Sequence, residues 1–91
     1  MDVQQLPDGR LVVTYGTVEY QSPILIDENF PSIVTYKCAR TLQFIGKVYK
    51  TEDGKWWLAT CYLGHWQPVE VFSKIEGFLF LNSLYKQNNV R

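Results

Sequence analysis

The hydrophobic positions of this chain fall into short runs separated by turn-forming residues until residue 73, where the spacing changes from that of strands to that of a helix. LQFIGKVYK and WWLATCY flank Thr51-Glu52-Asp53-Gly54-Lys55, in which a glycine at the last loop position suits a type I turn closed by a left-handed residue. That turn sets a hairpin register: Tyr49 opposite Trp57, Val48 opposite Leu58, Ile45 opposite Cys61 and Phe44 opposite Tyr62. Leu6-Pro7-Asp8-Gly9-Arg10 carries the same chemistry, with proline where its fixed φ already fits the turn. It predicts an N-terminal hairpin with strands over about 2–6 and 10–15, and Gly16 as a bend or bulge after it. Leu63-Gly64 predicts a further tight turn before HWQPVEVF. Pro68 within that third strand places it at an edge or a bulge, because proline cannot donate to a ladder.

Ser73-Lys74-Ile75-Glu76 is a capping box, in which the serine hydroxyl and the glutamate carboxylate satisfy the exposed N–H groups of a helix start. Ile75, Phe78, Leu79 and Asn82 then share one helical face, although Gly77 weakens the helix by roughly 1 kcal/mol relative to alanine. The polar tail QNNVR is expected to fray. Further upstream, Asp27-Glu28-Asn29 reads as a turn, and the β-branched and aromatic IVTY at 33–36 reads as a strand. The expected fold is therefore α+β, a β-rich single domain over 1–91. It comprises an antiparallel meander of strands over about 42–50, 56–62 and 65–72, the N-terminal hairpin, and one C-terminal helix over about 74–86.

Carrying the register through the meander sorts the side chains into two faces. Leu42, Phe44, Val48, Trp56, Leu58, Tyr62, Val69 and Val71 form an apolar face that the helix is expected to cover. Ile45, Lys47, Tyr49, Trp57, Ala59, Cys61, Trp66 and Glu70 form the other. Adjacent Trp56 and Trp57 point to opposite sides of a strand, so the second face also needs an explanation. The leading expectation is that the N-terminal strands fold across it as a sandwich or curled half-barrel. A second copy of the chain or a bound ligand are the alternatives.

Ninety-one residues with 46% hydrophobic and 15% aromatic content can build one core. Nine basic residues balance nine acidic ones, which argues against duplex DNA or an anionic membrane as partner. Two cysteines, Cys38 and Cys61, are too few for a disulfide framework. MDVQQLPDG lacks the basic start and apolar stretch of a signal peptide, and no run approaches the roughly 20 apolar residues of a membrane span. A soluble, cytoplasmic protein with reduced thiols is expected.

Little in the sequence points to chemistry. His65 is the one histidine and falls on the opposite face from Cys61, so no Cys–His nucleophile pair is expected. Two cysteines and one histidine fall short of four zinc ligands, and the acidic pairs Glu52-Asp53 and Asp27-Glu28 read as solvated turn formers. No catalytic residue, cofactor or metal is expected. The informative set is aromatic and basic: Lys47, Tyr49, Lys55, Trp57 and Trp66 on or around one face, candidates for binding a partner. Three strands followed by a capped helix resemble the AP2-type DNA-binding module through Gly54-Lys55-Trp56, Leu63-Gly64 and Phe72-Ser73. The resemblance spans only the C-terminal half, with few arginines and a longer spacing between LG and F, and no family is assigned on it. The expected function is a small non-enzymatic protein-interaction module, regulatory or inhibitory, binding a protein partner or forming a homodimer. The alternative is single-stranded nucleic acid on the same face, with Lys47, Lys55 and Arg40 on phosphates.

Overall fold

The computed structural model describes residues 2–89. Its elements are β1 (Asp2–Gln5), β2 (Arg10–Tyr15), β3 (Val18–Phe30), β4 (Ile33–Cys38), β5 (Phe44–Lys50), β6 (Trp56–Thr60), β7 (Val69–Val71) and α1 (Lys74–Asn89). The seven strands lie in sequence order in one sheet, each antiparallel to the next. The fold is thus the expected α+β arrangement of a meander with a C-terminal helix. No helix among the described residues is long and apolar enough to cross a membrane.

Both Asp-Gly turns form as their residues dictate. Gly9 and Gly54 take φ of 92° and 86°, and the N–H of each donates to the carbonyl three residues back, Leu6 and Thr51. Beyond Thr51, the ladder pairs Tyr49 with Trp57 and Val48 with Leu58, as expected. The helix starts at its capping box: the Glu76 N–H donates to Ser73 Oγ, and a Glu76 carboxylate oxygen accepts from the Phe72 N–H. It runs three residues past its expected end, and Val90 and Arg91 of the tail lie outside the described residues.

Other expectations are overturned. The N-terminal strands do not fold across the second face; they extend the same sheet sideways. Asp27-Glu28-Asn29 lies inside β3, where β3 advances two residues from Ile26 to Glu28 against one step of β4. The extra residue, Asp27, turns its carboxylate to Lys37 Nζ at 3.1 Å, and the chain reverses at Pro31-Ser32 instead. The third meander strand shrinks to Val69–Val71, because Gly64–Trp66 form a 3-10 turn. Pro68 precedes this edge strand.

A second bulge exchanges two faces. Between Tyr36 and Lys37 on β4, β5 advances from Gly46 to Phe44, so Ile45 is the extra residue. Ile45 is buried in the core, whereas Phe44, paired with outward-facing Lys37, is exposed. Leu42 lies beyond the strand and is exposed too, so neither residue belongs to the core face.

The inner face holds Leu11, Val13, Ile24, Val34, Tyr36, Val48, Leu58 and Val71 against Phe78, Leu81 and Tyr85 of α1. Ile75, expected on that face, is instead largely exposed. Asn82 is buried but satisfied: Ser22 Oγ donates to its Oδ1 at 3.0 Å, and its amide donates to Tyr20 Oη at 2.7 Å. The helix comes closest to the sheet at Gly77, where an added Cβ would lie 2.8 Å from Val48 Cγ2 and 3.3 Å from Val71 Cγ2. Gly77→Ala therefore gains about 1 kcal/mol of helix propensity and loses more to overpacking, for a net destabilisation of about 1–2 kcal/mol in urea unfolding. Val48→Ala in the same chain should recover part of that loss; simple additivity of the two costs would refute the contact.

Candidate functional site

The outer face carries a row of directly opposed residues across five strands: Phe30 on β3, Ile33 on β4, Tyr49 on β5, Trp57 on β6 and Glu70 on β7. Glu28, Thr35, Lys47 and Ala59 form the next row. Beyond the two bulges, Arg10, Leu25, Lys37 and Phe44 form a third. The 3-10 turn at Gly64–Trp66 reaches the third row, where Trp66 meets Phe44, while α1 packs on the other side of the sheet.

Of the five residues expected to bind a partner, the structure brings three together. Tyr49 and Trp57 are cross-strand partners, and Lys47 places its ammonium 5.2 Å from the centre of the Tyr49 ring. Lys55 stays at the hairpin turn, exposed, its carbonyl accepting from the Thr51 N–H. Trp66 goes elsewhere. It leaves the strand for the 3-10 turn and stacks on Phe44, with centroids 5.3 Å apart and the rings parallel.

This second aromatic cluster was not read from the sequence. Leu42, Phe44 and Trp66 remain 62%, 47% and 39% exposed. Leu42, His65 and Trp66 are also the non-glycine residues with positive φ among those described, between 55° and 60°. Side chains with a Cβ rarely adopt that region, and such strain persists only where surrounding structure holds it. The available signal was Gly46: a glycine inside a strand marks a bulge, and this bulge turns Phe44 outward. From Phe44 to Tyr49 the two clusters lie about 16 Å apart along β5.

Trp57 is tied to the turn. Its indole N–H donates to Thr51 Oγ1 at 3.1 Å, and the Thr51 hydroxyl donates in turn to the Asp53 carboxylate. That bond, followed by the Lys55 N–H, holds the Asp53 pKa below its ordinary value. In the middle of the face, Thr35 Oγ1 is buried without a hydrogen-bond partner.

The thiols are unlinked. Cys61 is exposed, and its Sγ points to the Ile45 carbonyl at 3.6 Å. Cys38 is buried on the inner side. Burial pushes its thiol up, but hydrogen bonds from the Tyr85 hydroxyl, Thr41 and the Arg40 backbone bring it to about 7.

No family model matches this chain, and no curated protein or solved structure shows significant similarity to it.

Two predictions follow from the hydrogen bonding of this face. Thr35→Val keeps the side chain's shape and removes an unsatisfied hydroxyl, so it should stabilise the fold by about 1–2 kcal/mol in urea unfolding. Thr51→Val should return the Asp53 pKa toward its ordinary value in a carboxyl-detected NMR titration. In the wild type, the stabilising contribution of Asp53 is present above its unfolded pKa and lost as pH falls through its lowered folded value.

Proposed function

We propose that this chain is a small, non-enzymatic interaction module, regulatory or inhibitory, whose outer sheet face docks a protein partner, either another protein or a second copy of itself. The observation that carries this reading is the row Phe30–Ile33–Tyr49–Trp57, an apolar and aromatic stripe on the side of the sheet opposite α1, with Phe30 exposed and the other three half-buried. Tyrosine and tryptophan dominate the energetics of protein interfaces, and a chain of zero net charge does not depend on a charged partner. Lys47 sits over the Tyr49 ring and so occupies a face that a nucleobase would need for stacking. Two free thiols, one of them exposed, suit a reducing compartment such as the cytoplasm.

Single-stranded nucleic acid is the second reading, favoured by the exposed, stacked Phe44–Trp66 pair. Salt separates the two readings, because phosphate contacts weaken steeply as counterions accumulate and an apolar protein interface changes little.

The test replaces Tyr49 and Trp57 together by alanine. Both rings are only half-buried, so the loss of stability should be about 1–2 kcal/mol each and the fold should persist by circular dichroism. Light scattering across protein concentration and salt, followed by partner titration, should then show self-association or partner affinity reduced at least about tenfold, with weak salt dependence. Unfolding of the variant would show that these rings serve the fold rather than a partner. Nucleic acid that co-purifies and is lost at high salt would move the assignment to the second reading.

A further inference from the structure

On the opposite side of the sheet, the curl of the strands brings β1 round to the first turn of α1. Between them lies a cavity of about 150 Å³. Val3, Leu11, Ile26 and Phe78 give it an apolar wall. A dry cavity of roughly this volume accommodates a benzene-sized group. Three polar side chains, Gln5, Tyr36 and Lys74, break the wall, and the last two carry its chemistry.

The first of these two is Tyr36. It is only 3% exposed as a residue; its hydroxyl makes no hydrogen bond among the described residues and keeps its contact with solvent. A phenol on a cavity wall whose hydroxyl has no protein partner can donate to an acceptor that enters the space. Burial raises its pKa, which keeps the proton on the oxygen at neutral pH.

The second is Lys74, the first residue of α1. Its ammonium donates to Asn29 Oδ1 at 3.2 Å, a neutral acceptor, and no carboxylate among the described residues lies within ion-pair distance of it. Its positive charge is therefore uncompensated beside an apolar space. Ile75, at the rim and 58% exposed, leaves that space open to solvent.

We propose that this cavity binds a small monocarboxylate, with an apolar body of about six carbons in the space and a carboxylate that accepts from Lys74 and Tyr36. The site is separate from the outer face and does not rest on the protein-docking reading. Its selectivity follows from its chemistry: a neutral amide of the same shape keeps the apolar contact and forfeits the charge.

The experiment is an NMR titration of the full chain with phenylacetate, with phenylacetamide as the neutral control. Saturable shifts of the Val3, Leu11, Ile26 and Ile75 amides are expected with the acid, and binding about tenfold weaker or more with the amide. Lys74→Gln and Tyr36→Phe should each weaken the acid by at least about threefold while the rest of the spectrum stays unchanged. Ile75→Trp, a change at an exposed rim position, should block entry. No shift up to about 10 mM acid, amide binding equal to that of the acid, or an affinity unchanged in any of the three variants would overturn the assignment.

Discussion

The close approach of α1 to the sheet at Gly77 is the constraint on which the rest of the structure depends. A single helix must cover the inner face of a seven-stranded sheet, and it can do so only if its backbone comes down onto Val48 and Val71. Gly46 permits the same approach from below, since a Cβ there would lie 3.3 Å from Leu81 Cδ2 and 3.1 Å from the Ala59 carbonyl. With the two backbones this close, Phe78 and Leu81 reach the central strands, and Asn82 meets Ser22 and Tyr20. That buried polar contact fixes the rotation of the helix, because any other angle strands an amide in the core. Gly77, unfavourable for the helix in isolation, is thus what lets the helix pack.

Local chemistry was legible in the sequence, and cumulative geometry was not. Each Asp-Gly turn, the capping box and the β5–β6 register depend on a few adjacent residues, so five-residue patterns sufficed to place them. The faces depend on parity along a whole strand, and one extra residue reverses it. Nothing in Ile26-Asp27-Glu28 or Phe44-Ile45-Gly46 beyond a single glycine announces that the count shifts there, and so Phe44 was placed in the core and Ile45 outside it. The acidic run at 27–29 misled for a related reason. A bulge and a turn both favour a short polar residue, and only the partner strand decides between them.

The candidate site was legible in part for the same reason. Tyr49, Trp57 and Lys47 lie within a few residues of the turn that sets their register, and they come together as the alternation requires. Trp66 lies beyond a loop whose conformation the sequence does not declare. Two consecutive non-glycine residues at positive φ, His65 and Trp66, are not what Leu63-Gly64 suggests, since the glycine was the natural candidate for that conformation. The consequence is a face with aromatic groups at both ends and Lys47 between them, rather than one continuous platform.

The cavity follows from a mismatch of dimensions. Seven strands spaced about 4.8 Å apart span roughly 29 Å, whereas a helix with its side chains is about 10–12 Å across. Curling narrows the difference without removing it. The shortage must fall where the helix is farthest from its tight contact, and Gly77 fixes that contact on β5 and β7. The remaining space therefore opens at the other margin, between β1 and the first turn of α1, where Val3 and Ile75 face one cavity. A core under pressure only to exclude water would fill this space with a larger apolar side chain. Here it holds a phenol hydroxyl with no protein partner and an ammonium without a counterion, the two groups to which the carboxylate of an anionic occupant would bond.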